Sequence, residues 1–295
     1  MDIRALFLGL TFALMWSSAF TSARIIVAEA PPILSLSLRF AVSGALGMAI
    51  AYLMGDRLRL TGGQWRAVII FGICQNALYL GLNFVAMQWI EASLAAIIAS
   101  SLPLLVALAN WMIFAERTRV MGLIGLVAGS LGVLLIMGTR LQGGADLLGI
   151  GLCVLAVIAL TIATLSMRGA SSGGNVMMVV GLQMLVGSLV LLPVGLTFET
   201  WDVTWSTRLI AALAYTTLIP GLAATFIWFK LVERIGATPA ATFHFLNPFF
   251  GVVVAWALLS EQLGPRDIVG VIVITLGILA VQLSRLKATP RGGPS

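Results

Sequence analysis

The side chains best suited to chemistry in this sequence are polar residues set inside long apolar segments. Arg39 lies in one such segment. Polar groups are costly in lipid, so each needs a partner or a water-filled cavity. A buried guanidinium can bind a carboxylate through two parallel hydrogen bonds. The alternative is a structural arginine that reaches towards a helix end or bonds to neighbouring carbonyls. Arg39 is therefore a candidate ligand for a substrate carboxylate, with the structural alternative open.

A second group of polar side chains follows helical spacing. Asn76, Tyr79 and Asn83 are three and four residues apart, so they share one face of a helix. A polar stripe within an apolar segment predicts a face turned towards protein or water. All three are candidate substrate-binding residues.

Four more residues complete the candidate binding set. His244 is the only histidine; it can line a cavity and titrate near neutral pH, or it can be a packing residue. Asn247 follows one turn later. Trp16 and the adjacent Ser17 are candidates for a cavity wall, although an aromatic residue inside a span more often packs or forms an interfacial belt.

Three prolines fall within apolar segments, at Pro103, Pro220 and Pro248. Proline removes a backbone hydrogen bond and bends a helix. The freed carbonyls can face a cavity, and the bends can serve as gates, because alternating access needs flexible points. A static kink is the alternative reading.

No enzyme, metal or cofactor site is expected from the remaining residues. The two cysteines, Cys74 and Cys153, lie in separate apolar runs without metal-ligand spacing or a disulfide framework. No acidic pair or serine–histidine arrangement lies within the segments. The lack of a deep Asp or Glu also argues against an embedded proton-coupling carboxylate, and favours a downhill facilitator or an exchanger.

Composition indicates that the elements positioning these side chains are membrane helices. Of 295 residues, 60% are hydrophobic and 9% charged, whereas soluble proteins carry about 25% charged residues. A membrane-spanning helix needs about 20 apolar residues. Ten spans are predicted: 5–23, 34–54, 67–87, 92–115, 120–137, 147–167, 176–197, 209–229, 238–259 and 268–283.

The basic residues predict the orientation of these spans. They occur singly and mostly at the ends of apolar runs, which indicates topology rather than nucleic-acid binding. With the N-terminus inside, twelve Lys or Arg fall on the inner side and four on the outer side. We therefore expect a multi-pass protein of the bacterial inner membrane with both termini cytoplasmic. Membrane lipid and a small-molecule substrate are its expected partners, without nucleic acid, and it is expected to be a monomer, with a dimer as the alternative.

The chain also matches itself at an offset of 145 residues, the step from 103 to 248. The identical pairs at this offset include Pro103 and Pro248, Trp111 and Trp256, Glu116 and Glu261, Gly125 and Gly270, and Gly132 and Gly277. Five spans per half is an odd number, so the second half enters the membrane from the opposite side. We expect two inverted five-helix repeats, residues 1–140 and 147–285, around a central cavity, followed by a cytoplasmic tail, 286–295. Glu116 and Glu261 end their spans and are expected to fix loops or cap neighbouring helices.

These features resemble the EamA-type permeases of the drug/metabolite transporter superfamily. The resemblance rests on Trp-Ser-Ser-Ala-Phe at 16–20, Arg39-Phe40, and the repeated pattern of alanines, mid-span proline, tryptophan and glutamate. Within that family the chain is similar to YddG-type amino-acid exporters. The resemblance implies a ten-helix fold and export of amino acids, aromatic or otherwise apolar.

The leading hypothesis is therefore a secondary transporter working by alternating access. A permease for nucleobases, sugars or drugs is the alternative within transport. A membrane scaffold or receptor is the alternative outside it, although neither needs inverted halves.

Overall fold

The computed structural model describes residues 3–114, 120–142, 146–166, 176–235, 240 and 242–286, and these residues form helices and connecting turns without a strand. The all-α class is thus confirmed. The α-helices are α1 Ile3–Glu29, α2 Pro32–Leu53, α3 Gly62–Phe71, α4 Gly81–Ala86, α5 Ala92–Ala99, α6 Leu102–Phe114, α7 Val120–Gln142, α8 Leu147–Ser166, α9 Val176–Phe198, α10 Thr207–Thr216, α11 Ala224–Ile235, α12 Asn247–Leu259 and α13 Pro265–Leu286.

Seven helical segments in the described ranges are long and apolar enough to cross a membrane. They are Ile3–Glu29, Pro32–Leu53, Gly62–Ala86, Ala92–Ile113, Leu147–Ser166, Val176–Phe198 and Thr207–Trp228. Shorter apolar helices cover Val120–Ile136 and Asn247–Leu259. The chain is accordingly an integral multi-pass membrane protein, while the count of ten spans stays a prediction.

Two spans contain a π-helix, in which backbone bonding shifts to i→i+5 and the turn widens. The first, π1, is Gly72–Leu80 and joins α3 to α4. The second, π2, is Thr217–Ala223 and joins α10 to α11. The two segments begin 145 residues apart, the same offset as the internal sequence match. Pro220 lies inside π2 and supplies no backbone N–H there.

The other two prolines stand at the beginnings of helices. The α5 helix ends at Ala99, and α6 starts at Leu102 with Pro103 in its first turn. The α12 helix starts at Asn247 with Pro248 next, directly after a 3-10 turn at Thr242–Leu246. Proline is well suited to the first helical turn, where its missing N–H leaves no bond unmade. Both prolines therefore mark breaks in the helical path through a predicted span.

Helices α2 and α9 pack antiparallel at close range. A Cβ placed on Gly44 would lie 2.9 Å from the carbonyl oxygen of Gly181, and one on Gly195 would lie 2.7 Å from Leu34. Early residues of α2 thus meet late residues of α9. The hydroxyl of Ser37 also donates to the carbonyl of Ser188 at 3.0 Å, close to the middle of this contact.

Helices α7 and α13 make a second antiparallel pair. A Cβ on Gly277 would lie 2.6 Å from the nitrogen of Gly129 and 2.7 Å from the oxygen of Gly125. A Cβ on Gly132 would lie 3.1 Å from the oxygen of Gly270. Small residues let the two backbones approach this closely, as in many membrane helix pairs.

Carboxylates join helix ends at one end of the bundle. Glu199, after α9, accepts from the backbone N–H groups of Ile33 and Leu34 at the start of α2, at 2.9 and 2.8 Å. Glu261, after α12, accepts from Ala92 and Ser93 at the start of α5, at 2.8 and 3.0 Å. The first N–H groups of a helix have no partner within it, and a negative charge there also suits the helix dipole.

Glu29, at the end of α1, accepts a hydrogen bond from the Ser206 hydroxyl near the same bundle end. Glu261 thus caps a neighbouring helix, which is the role expected from its position. Glu116 lies outside the described residues.

Candidate functional site

A cavity of about 50 Å³ lies between α1, α2, the π1–α4 segment and π2. A volume of this size has room for a few water molecules. Its lining is mainly aromatic and aliphatic and comprises Trp16, Ala19, Phe20, Ala23, Arg39, Tyr79, Leu80, Asn83, Phe84, Met87 and Pro220. Five of the residues selected from the sequence therefore come together here: Trp16, Arg39, Tyr79, Asn83 and Pro220.

Among the described residues of this lining, Arg39 is the charged one. Its side chain is 6% exposed, and its Nε has no hydrogen-bond acceptor among the described residues. The guanidinium carbon lies 5.2 Å from the ring centroid of Phe40, within the range of a cation–π contact. Buried arginines normally have an acceptor, because an unpaired buried charge is costly. The unpartnered Nε of Arg39 is thus a candidate contact for an anion in the cavity.

A glycine on π2 leaves space beside this guanidinium. A Cβ on Gly221 would lie 3.7 Å from Nη2 of Arg39 and 3.2 Å from the carbonyl oxygen of Thr216. Any larger side chain would fill the space next to the charge. The widened π2 segment thus lies directly against the arginine that α2 contributes.

Asn83 is fixed at both ends of its amide. Its Nδ2 donates to the carbonyl of Tyr79 at 2.8 Å, and its Oδ1 accepts from the thiol of Cys153 at 3.3 Å. All three side chains are buried, at 2%, 4% and 1% exposure for Asn83, Tyr79 and Cys153. The amide therefore presents a defined edge to the cavity. Cys153, on α8, is a supporting residue that the sequence did not single out.

The side chain of Asn76 bonds to a neighbouring helix and does not line the cavity. Its Nδ2 donates to the carbonyl of Gln183 on α9 at 2.7 Å, and it is absent from the cavity lining. The expectation that Asn76, Tyr79 and Asn83 share a face assumed a regular α-helix. Asn76 and Tyr79 both lie in π1. Because a π-helix has more residues per turn than an α-helix, two side chains three residues apart point in more different directions there.

Ser17 is also outside the cavity lining. It is 1% exposed, and its hydroxyl has no partner among the described residues. The next residue, Ser18, contacts the Tyr215 hydroxyl at 2.7 Å and so links α1 to α10. The Ser18 hydroxyl therefore joins two helices, and neither serine lines the cavity.

His244 and Asn247 form a separate cluster nearer the beginning of α1. The ring centroids of Phe12 and Trp228 lie 5.2 and 5.1 Å from that of His244. The amide nitrogen of Asn247 lies 3.0 Å from Nδ1 of His244. Phe12 also lies 5.8 Å from Trp16, so this cluster adjoins the cavity wall. Neither His244 nor Asn247 lines the cavity itself.

Of the three prolines, only Pro220 lines the cavity; Pro103 and Pro248 lie at the helix breaks described above. Sequence reasoning missed the apolar lining residues, among them Phe20 and Phe84. Their types are the same as those that fill the helix packing throughout the chain. Spacing alone therefore offers no signal that separates them from core residues.

Comparison with known proteins agrees with this architecture. A solved crystal structure superposes with a TM-score of 0.70, covering 98% of this chain and 100% of its own, at 20% sequence identity, which shows a shared fold. The transporter YvbV of Bacillus subtilis is 25% identical over 91% of this chain and 88% of its own length. The inner membrane transporter YedA of Escherichia coli is 25% identical over 94% and 90%.

The protein PecM of Dickeya dadantii is 25% identical over 81% of this chain and 80% of its own length. The profile of the EamA-like transporter family matches twice, at residues 3–138 and 147–283. Together these two matches span almost the whole sequence. The chain belongs to the EamA-like transporter family.

Proposed function

We propose that this transporter moves small carboxylate-bearing metabolites out of the cell by alternating access, with aromatic and other apolar amino acids as the leading class. The observation that carries the proposal is the buried Arg39 guanidinium, which faces an aromatic cavity and has no acceptor for its Nε among the described residues. A carboxylate would complete this site, since arginine binds carboxylates through paired hydrogen bonds. Amino acids are favoured by the resemblance to YddG-type exporters.

In the proposed mechanism, two inverted five-helix halves, residues 1–140 and 147–285, move relative to each other. The antiparallel pairs support it: α2 with α9 and α7 with α13 are also partners under the 145-residue offset. The π-helices support it as well, because they occupy equivalent positions in the two halves. Inverted repeats around a midplane site are a common design for alternating access.

The proposed orientation places both termini in the cytoplasm of a cell with an inner membrane. The bundle end held by Glu199 and Glu261 would then face outwards. The distribution of Lys and Arg supports this orientation.

The proposal is tested by counterflow with purified protein in liposomes, using radiolabelled amino acids and nucleobases. Flux of apolar amino acids is expected, and it should be lost in Arg39→Ala while the protein still elutes as a folded species. Arg208→Ala, which removes an exposed arginine at the start of α10, is the matched control and should transport normally. Full transport by Arg39→Ala would show that Arg39 does not bind the substrate. Flux of nucleobases without flux of amino acids would show that the transporter carries nucleobases instead.

A further inference from the structure

We infer that the Arg39 cavity prefers carboxylates without an ammonium group, and that each such substrate carries one net negative charge across the membrane. This inference rests on the proposed function, because it takes Arg39 as the carboxylate ligand. It refines the substrate class: the amino acids that the family resemblance favours are transported, but small apolar carboxylates without an ammonium group bind more tightly.

The charges around the cavity favour an anionic substrate. Eleven of the residues that the structure describes line it, and Arg39 is the one among them that carries a charge. Described carboxylates with defined partners lie at helix ends instead, where Glu199 and Glu261 hold the first turns of α2 and α5. The described walls of the cavity therefore carry a positive charge and no negative one. A bound monoanion would bring this site to neutrality.

A zwitterion would find a poorer match. Its ammonium group would lie close to the Arg39 guanidinium and repel it through a low-dielectric interior. The polar amide in the lining, Asn83, already bonds to Tyr79 and Cys153. The aromatic faces of Trp16 and Tyr79 offer cation–π contacts, which are weak compared with a buried ion pair.

The charge balance also determines how transport responds to voltage. With a monoanion bound, the loaded site is neutral and the empty site is positive, so a complete cycle moves one negative charge. With a zwitterion, loaded and empty sites carry the same charge, and a cycle moves none. One charge moved across 100 mV corresponds to about a 50-fold concentration ratio. A potential negative inside would thus drive export of the monoanion.

Matched substrates test this inference on the native protein in liposomes. L-phenylalanine and 3-phenylpropanoate share a ring and a carboxylate and differ in the ammonium group, as do leucine and 4-methylpentanoate. We expect the ammonium-free member of each pair to inhibit counterflow at a concentration about tenfold lower. A potassium-diffusion potential should drive 3-phenylpropanoate flux and leave phenylalanine flux unchanged. Protein-free liposomes correct for diffusion of the neutral acid.

A variant adds an independent test. Asn83→Asp places a carboxylate in the lining, and the preference should shift towards phenylalanine. Equal or tighter inhibition by phenylalanine in the native protein, with both fluxes dependent on Arg39, would overturn this inference and leave the transport function intact. If Arg39→Ala transported both members of a pair as the native protein does, the proposed function would be overturned, and this inference with it.

Discussion

The carboxylate of Glu261 accepts a hydrogen bond from the backbone N–H of Ala92 at 2.8 Å, across 169 residues of sequence. It links the end of α12 to the first turn of α5, and thereby joins the two halves that match the family profile separately. Glu199 makes the equivalent link to α2. These carboxylates stabilise one end of the bundle by pairing with N–H groups that a helix cannot satisfy within itself.

Glu261→Gln should therefore lower thermal stability in detergent. The substitution removes the charge that interacts with the helix dipole and weakens two hydrogen bonds, a loss of about 1–2 kcal/mol. The midpoint of thermal unfolding should fall by a few degrees. Asp202→Asn, at an exposed carboxylate in the α9–α10 connection, is the control. An equal midpoint for Glu261→Gln and the control would contradict this account of the cap.

The contact between α7 and α13 should tolerate no added methyl group at its centre. In Gly277→Ala the new Cβ would meet the Gly129 nitrogen at 2.6 Å, and that atom is backbone that cannot rotate away. Overpacking of this kind costs about 1–3 kcal/mol. We expect a lower unfolding midpoint and less folded protein on gel filtration.

Gly151→Ala is the matched control for this substitution. A Cβ at Gly151, on α8, would meet nothing within 4 Å. Alanine favours a helix over glycine by about 0.5–1 kcal/mol, so this variant should be as stable as the native protein or more so. Equal losses in the two variants would show that the close approach of α7 and α13 is not the cause.

The thiol of Cys153 should affect substrate affinity through Asn83. Cys153→Ala removes the donor to the Asn83 amide oxygen, and the half-saturation concentration should rise about two- to fivefold, the worth of one weak hydrogen bond. Cys153→Ser keeps a donor and should restore native values. Cys74→Ala, at a half-buried thiol of π1, is the control. The same loss in the serine variant as in the alanine variant would assign Cys153 to packing only.

The sequence pointed to the polar residues of the cavity, but neither to most of its apolar lining nor to its geometry. Arg39 and Tyr79 were recognisable because polar groups in apolar spans need a partner or water. Asn76 was assigned to the same face as Tyr79 because the spacing is helical, and π1 changes that face. A π-helix arises from tertiary packing against neighbouring helices, and the spacing of side chains gives no sign of it.

Long-range partners were likewise beyond the sequence. Glu261 was recognisable as a capping residue from its place at the end of a span, but its partners on α5 are set by the packing of the whole bundle. Phe20 and Phe84 line the cavity for the same reason. An apolar side chain can face lipid, pack in the protein core or line a cavity, and the fold determines which of these it does.

Under the proposed mechanism, the cavity beside Arg39 opens alternately to the two sides of the membrane. Ala19→Cys, in a Cys74→Ser and Cys153→Ser background, places a single thiol on the cavity wall. A membrane-impermeant maleimide should label it from either face, in right-side-out and in inverted vesicles, and bound substrate should slow both reactions. Labelling from one face alone, with and without substrate, would contradict the alternating-access account.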